Sequence, residues 1–201
     1  MNLPNKLTVA RIIMTPLFMA AMLLEFPHHY LVAFVLFAVA SFTDFLDGKI
    51  ARQQNIVTSF GKFLDPLADK MLTTAAFLAF LAKGFGYGIA WVLFIVLFRE
   101  FMIASLRLVA VSSDSKKVIA ANIWGKVKTV TQMIAILFGI LTLYFVESIV
   151  PMMPIDTNLS AVLTEILMIV YNIVLWISTA FAAISGAIYI YGGRQYIANA
   201  K

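Results

Sequence analysis

Four aspartates, Asp44, Asp47, Asp65 and Asp69, carry charge in an otherwise strongly apolar sequence. Asp44 and Asp47 are three residues apart and Asp65 and Asp69 four apart, so on helices each pair shares one face. An aspartate near the centre of a membrane span costs ~2.5–3.5 kcal/mol, and less toward its ends. Four of them cost on the order of 10 kcal/mol unless something offsets the charge. A cation held among them does so. Ligands that are all carboxylate oxygens suit Mg²⁺, Mn²⁺ or Ca²⁺ and do not suit Zn²⁺. Two ions fit such a set, and paired metals ~3.5–4 Å apart are a recurrent device for phosphoryl transfer. The competing reading is ordinary interfacial pairing with Lys49, Arg52, Lys62 and Lys70. It suits a single aspartate better than two spaced pairs on consecutive helices.

Membrane helices must position these groups. Of the 201 residues, 62% are hydrophobic and only 12% charged, with a mean hydropathy of +0.95. A soluble domain is about half apolar and about a quarter charged. A soluble globule is therefore excluded, and so is a disordered chain. Six apolar segments run roughly over 7–24, 30–51, 63–83, 87–111, 127–149 and 160–192. They predict an all-α integral membrane protein of six transmembrane helices, the last long enough to tilt or to continue past the bilayer. The first reads as a span, because its apolar run is long for a signal peptide and no small-residue cleavage site closes it. Strand alternation is missing, which argues against a β-barrel.

Orientation follows from the basic residues. With the N-terminus in the cytoplasm, every Lys and Arg falls inside except Lys83, which is outside, and Arg99, which lies within a span. The outer loops carry Glu25, Glu147 and Asp156 instead. Both termini are then cytoplasmic. Asp44 precedes Arg52 by ~12 Å of helix, so the carboxylates lie just inside the inner leaflet. There they reach a substrate whose tails remain in the bilayer. The net charge of +5 and a pI near 9.5 fit anionic lipids or substrates better than nucleic acid. Cysteine is absent, so there is no disulfide framework, thiolate metal site or Cys nucleophile.

The order Asp44-x-x-Asp47-Gly48-x-x-Ala51-Arg52, then Gly61, Asp65 and Asp69, resembles the signature of the CDP-alcohol phosphotransferase family, with every motif position filled. Asn2 through Thr8 with Arg11, Arg99-Glu100 through Arg107, and Asn122 through Thr129 with Gln132 and Met133 resemble its bacterial phosphatidylglycerophosphate synthases. The resemblance spans most of the chain and implies one transmembrane domain over 1–201. It implies six helices around a polar cavity open to the cytoplasm, a homodimer, and a place in the bacterial cytoplasmic membrane. It further implies that Asp44, Asp47, Asp65 and Asp69 hold the metals, Mg²⁺ or Mn²⁺, and that Asp69 also serves as general base. The implied reaction is attack by an alcohol on the β-phosphate of CDP-diacylglycerol, expelling CMP.

Under the same resemblance, Gly48 and Ala51 leave backbone open to the nucleotide, with Gly61 nearby. Close helix packing through small residues is the competing reading, and for Gly61 a turn or helix start. Arg52 binds the diphosphate or faces lipid headgroups. Asn5, Thr8 and Arg11 share helical spacing at the inner end of the first span. They line the nucleotide pocket, or else Asn5 caps the helix and Arg11 snorkels. Glycerol 3-phosphate carries a dianion, so its pocket needs cations. Arg107, Lys126 and Arg99 are the candidates, with Lys128 behind; an internal salt bridge to Glu100 is the alternative for Arg99. Lys116 and Lys117 read as a solvated face touching anionic lipid, and His28 and His29 as solvated loop residues. Trp124, Tyr144 and Tyr191 are expected as interface anchors.

Glycerol 3-phosphate is thus the expected acceptor, giving phosphatidylglycerophosphate. The same chemistry on serine, inositol phosphate or phosphatidylglycerol stays open. A cation or proton transporter is the reading from another class. Against it stand acids gathered at one side of the membrane and the lack of an inverted repeat.

Overall fold

The computed structural model describes residues 2–54, 59–112 and 123–198; at 3–4, 45–54, 59–60, 62–63, 65, 109–112 and 195–198 it describes the backbone alone. Among the described residues six α-helices follow one another: α1 Leu3–Leu23, α2 His29–Gln54, α3 Ser59–Ala82, α4 Ile89–Ser112, α5 Ile123–Tyr144 and α6 Thr157–Ala198. Among the described residues there is no strand. Each helix overlaps one of the apolar segments read from the sequence, though α5 ends at Tyr144, short of the expected 149. Among the described residues, four stretches are long and apolar enough to cross a bilayer: Asn5–Leu23, Ile89–Leu108, Ile123–Met152 and Thr157–Arg194. In α2 the described apolar stretch is His29–Asp44, and the side chains beyond it lie outside the described residues. In α3 the charged residues Lys62, Asp65, Asp69 and Lys70 fall in the first half of the helix. Helix α6 has 42 residues, ~63 Å at 1.5 Å each, about twice a hydrocarbon core of ~30 Å.

The chain divides into two compact units, Met1–Gly86 with Ile136–Tyr171, and Tyr87–Ala135 with Asn172–Lys201. In the first unit α1 packs along α2 and α3, and α2 touches α3. The buried faces follow helical periodicity. Asn5, Thr8, Arg11, Thr15, Phe18 and Met22 form the buried stripe of α1, while Tyr30, Ala33, Phe37 and Ala40 form that of α2. Asp44, one turn beyond Ala40, continues the α2 stripe. Small residues on α3, Ala68, Ala75, Ala76 and Ala79, are buried and let the helices approach closely.

A polar clasp closes the opposite end of this unit. The fifth segment stops being α-helical at Tyr144 and widens into a π-helical turn, Phe145–Ile149, before the 3-10 turn Val150–Met152. Glu147 in that turn accepts a 2.7 Å hydrogen bond from the Tyr30 hydroxyl, and the Lys83 ammonium sits 5.6 Å from the Tyr30 ring centre. His28, at φ +58°, places its ring nitrogen 3.1 Å from the Tyr144 hydroxyl, and His29 reaches the Ala21 carbonyl at 3.0 Å. His28 is exposed in the turn before α2, as expected of a solvated loop residue, whereas His29 is half-buried at the start of α2 and joins it to α1.

In the second unit, Gly88 (φ +68°) immediately precedes α4 under Trp176, and a Cβ there would meet the indole at 3.0 Å. The Trp176 indole donates to the Tyr87 carbonyl, and the Tyr87 amide donates to Asn172 Oδ1. These bonds fix the start of α4 against α6. Trp91, Phe94, Phe98 and Phe101 are exposed along α4, as a lipid-facing stripe requires.

Candidate active site

The first unit holds the acidic signature. Residues 44 and 47 lie in the continuous helix α2, and 65 and 69 in α3, so the helical register assumed from the sequence is present in the backbone. Pro66 lies inside α3, one residue after Asp65, and removes a backbone donor there. The side chains of Asp47, Gly48, Ala51, Arg52 and Asp65 lie outside the described residues. Of the four acids, Asp44 and Asp69 are described; both are half-buried. Among the described residues no group of three or more His, Cys, Asp or Glu gathers around one point. The donor chemistry still fits a hard divalent cation, since each described acid offers carboxylate oxygen from a half-buried position. Asp44 keeps 37% of its side chain accessible. Gly61 is buried at the start of α3.

Helix α1 presents a buried polar stripe to this region. It begins at Leu3 with Asn2 as N-cap, so Asn5 lies inside the helix and does not cap it. Asn5, Thr8 and Arg11 are all buried. Arg11 does not snorkel. Its Nη1 lies 2.6 Å from Asp44 Oδ1, and its Nε donates to the Ala40 carbonyl at 3.3 Å.

The second unit holds the basic candidates, and they divide. Arg99 is buried in α4 and donates through Nη1 to Glu100 Oε1 and through Nη2 to Ser185 Oγ, both at 2.8 Å. Lys128, buried on α5, donates to the same Glu100 oxygen. Two cations and one carboxylate thus tie α4, α5 and α6 together, and the internal salt bridge left open for Arg99 is present. Gly186 permits this approach, since a Cβ there would stand 3.2 Å from the Arg99 side chain. Arg107 and Lys126 are exposed. Arg107 donates to the Tyr189 hydroxyl at 3.3 Å, and the guanidinium carbons of Arg107 and Arg99 lie 5.9 and 6.0 Å from the same ring centre. That distance is within cation–π range.

Ser185 and Tyr189 were missed by sequence reasoning. Their signal was present: two hydrogen-bonding residues four apart in an apolar span share one face. Gln132, one turn beyond Lys128, is 2% exposed, and neither of its amide atoms has a hydrogen-bond partner among the described residues. Lys116, Lys117 and Asn122 lie outside the described residues.

The sequence model of the CDP-alcohol phosphatidyltransferase family matches residues 1–184. The chain belongs to this family. Among its relatives is a Rickettsia bellii protein named CDP-diacylglycerol–glycerol-3-phosphate 3-phosphatidyltransferase, 35% identical over 199 residues, covering 97% of each chain. A Bacillus subtilis protein of the same name is 44% identical over 147 residues, 67% of this chain and 74% of its own. One from Haemophilus influenzae, again of that name, is 36% identical over 135 residues, 67% of this chain and 73% of its own. As a member of the family, the chain is a phosphatidyltransferase with several apolar helices fit for a membrane.

Proposed function

We propose that this chain transfers the phosphatidyl group of CDP-diacylglycerol to sn-glycerol 3-phosphate, releasing CMP and phosphatidylglycerophosphate. The observation that carries the reading is the match along nearly the whole length of relatives named for that reaction, with the acidic signature complete. The acceptor hydroxyl attacks the β-phosphorus of the donor. The bond from that phosphorus to the bridging oxygen breaks, and CMP leaves with the electron pair. Asp69 receives the hydroxyl proton, for which a carboxylate oxygen must stand within hydrogen-bond reach.

Asp44, Asp47, Asp65 and Asp69 would hold the divalent ions, Mg²⁺ or Mn²⁺. Bound there, such ions supply charge neutralisation for the diphosphate and acidify the attacking hydroxyl. Asn5, Thr8, Gly48, Ala51, Arg52 and Gly61 are assigned to the nucleotide and diphosphate. Arg107 and Lys126 are assigned to the acceptor phosphate, since both are exposed cations. Arg99 is assigned to the Glu100 network and not to the acceptor. In this reading α2 and α3 also cross the membrane, giving six spans in one domain with the active site facing the cytoplasm, and the working form is a homodimer.

The test is CMP release by the purified full chain in detergent with CDP-diacylglycerol, glycerol 3-phosphate and Mg²⁺ or Mn²⁺. Release that requires glycerol 3-phosphate, and does not occur with serine or inositol phosphate, is the expected result. No release with any acceptor overturns the assignment. Asp69→Asn should abolish turnover while retaining much of the Mn²⁺ binding, whereas Asp44→Asn should weaken Mn²⁺ binding itself. Equal loss of binding in both would refute the separate role of Asp69.

A further inference from the structure

We infer that Arg11 is a positioning residue for the metal-binding set, a buried clamp that holds the Asp44 carboxylate in the orientation the divalent ion requires. The inference rests on the reading that Asp44 is a metal ligand. Its basis is the environment of Arg11, which is 1% exposed and is the bulkiest of the fully buried side chains among the described residues. An arginine this close to a span's end ordinarily extends its charge to the aqueous interface. Here the charge stays inside, and burying it unpaired would be costly.

The guanidinium grips one turn of α2 lengthwise. Its Nη1 faces Asp44 Oδ1 at 2.6 Å, and its Nε donates to the carbonyl of Ala40, one turn earlier. A planar group held at two points along a helix fixes the plane of the carboxylate it faces, which a lysine's single ammonium does not do. The backbone beneath Arg11 is tied as well, since Thr15 Oγ donates to the Arg11 carbonyl at 2.9 Å. Packing sets the register. Seven residues along α1 from Arg11 stands Phe18, and seven residues back along α2 from Asp44 stands Phe37; their ring centres are 5.4 Å apart. The aromatic contact and the ion pair therefore belong to one antiparallel alignment of α1 with α2. With Oδ1 on Arg11, the Asp44 side chain still leaves 37% of its surface open.

A clamp and a competitor predict opposite effects on metal binding. A fixed positive charge beside a ligand repels a cation, so an arginine that merely replaced the ion would, once removed, leave binding tighter. A clamp, once removed, leaves the carboxylate to be oriented by the metal, and binding weakens. Partners of this kind typically contribute about 10–100-fold in metal affinity.

The experiment measures Mn²⁺ alone, by electron paramagnetic resonance of the free ion, titrated into the full chain in detergent. Arg11→Gln is expected to bind Mn²⁺ about 10–100-fold more weakly than the unaltered chain. Arg11→Lys should recover part of that loss. In an Asp44→Asn background Arg11→Gln should change the affinity by less than about threefold, because the group it positions is gone. Unchanged or tighter binding by Arg11→Gln overturns the inference, as does an equal loss with and without Asp44. If Arg11→Gln does not fold, Arg11→Lys decides: at least about threefold weaker binding supports the clamp, and unaltered binding overturns it. An unaltered chain that binds no Mn²⁺ overturns the metal reading as well. Normal binding in the unaltered chain with no effect of Arg11→Gln overturns the clamp alone.

Discussion

Replacing Glu100 with glutamine removes the carboxylate that Arg99 and Lys128 share. The two cationic side chains are only 11% and 7% exposed, so neither reaches bulk water without repacking. At an effective dielectric constant of about 20, the 2.8 Å contact with Arg99 alone corresponds to ~6 kcal/mol of Coulomb energy. Part of this returns, because a neutral amide no longer carries the cost of burying a charge and still offers Arg99 an acceptor. Breaking a buried pair by removing one partner typically costs ~3–5 kcal/mol, and that is the expected loss for Glu100→Gln. The assay is reversible unfolding in mixed micelles, titrated with sodium dodecyl sulfate and followed by circular dichroism. Glu100→Gln combined with Lys128→Met restores the original local charge and should regain at least half of the lost stability. A single variant within ~1 kcal/mol of the parent would refute the reasoning, and so would a double variant that falls by the sum of its parts.

Other expectations follow from the same contacts. Tyr30→Phe deletes the 2.7 Å bond to Glu147 and should cost ~1.5–3 kcal/mol in that unfolding assay, the range for a hydrogen bond to a charged group. Gly139→Ala would place a Cβ 2.6 Å from a Tyr171 ring carbon and 2.9 Å from a Phe80 ring carbon, both rings being fully buried. Such overpacking costs ~1–3 kcal/mol, so a neutral result would show that the rings move freely. Arg107→Ala and Lys126→Ala should each raise the KM for glycerol 3-phosphate about 10–100-fold, as a lost charge-assisted contact of ~1.5–3 kcal/mol implies. An unchanged KM for both, in steady-state CMP release, removes them from the acceptor site.

The helices were legible along the chain because apolar runs long enough for a bilayer leave little alternative to a helix that satisfies its own backbone. The acidic signature was legible for a related reason. Spacing within one helix fixes which residues share a face, so Asp44 with Asp47, and Asp65 with Asp69, needed no knowledge of distant contacts. The conversion of the end of the fifth segment to a π-helical turn was not legible, because Glu147 meets Tyr30 across more than a hundred residues.

The basic residues show where such reasoning ends. Arg11 at the end of a span fits snorkelling and burial equally well in one dimension, and Arg99 beside Glu100 fits both a ligand and a structural ion. The choice depends on which helix face is covered and what the neighbouring helix brings to it. Tertiary packing placed Asp44 and Ala40 against Arg11, and Ser185, with the carboxylate shared by Lys128, against Arg99. A charge in a low-dielectric interior is tolerated only with such partners, so the packing, and not the residue type, assigned each arginine its place.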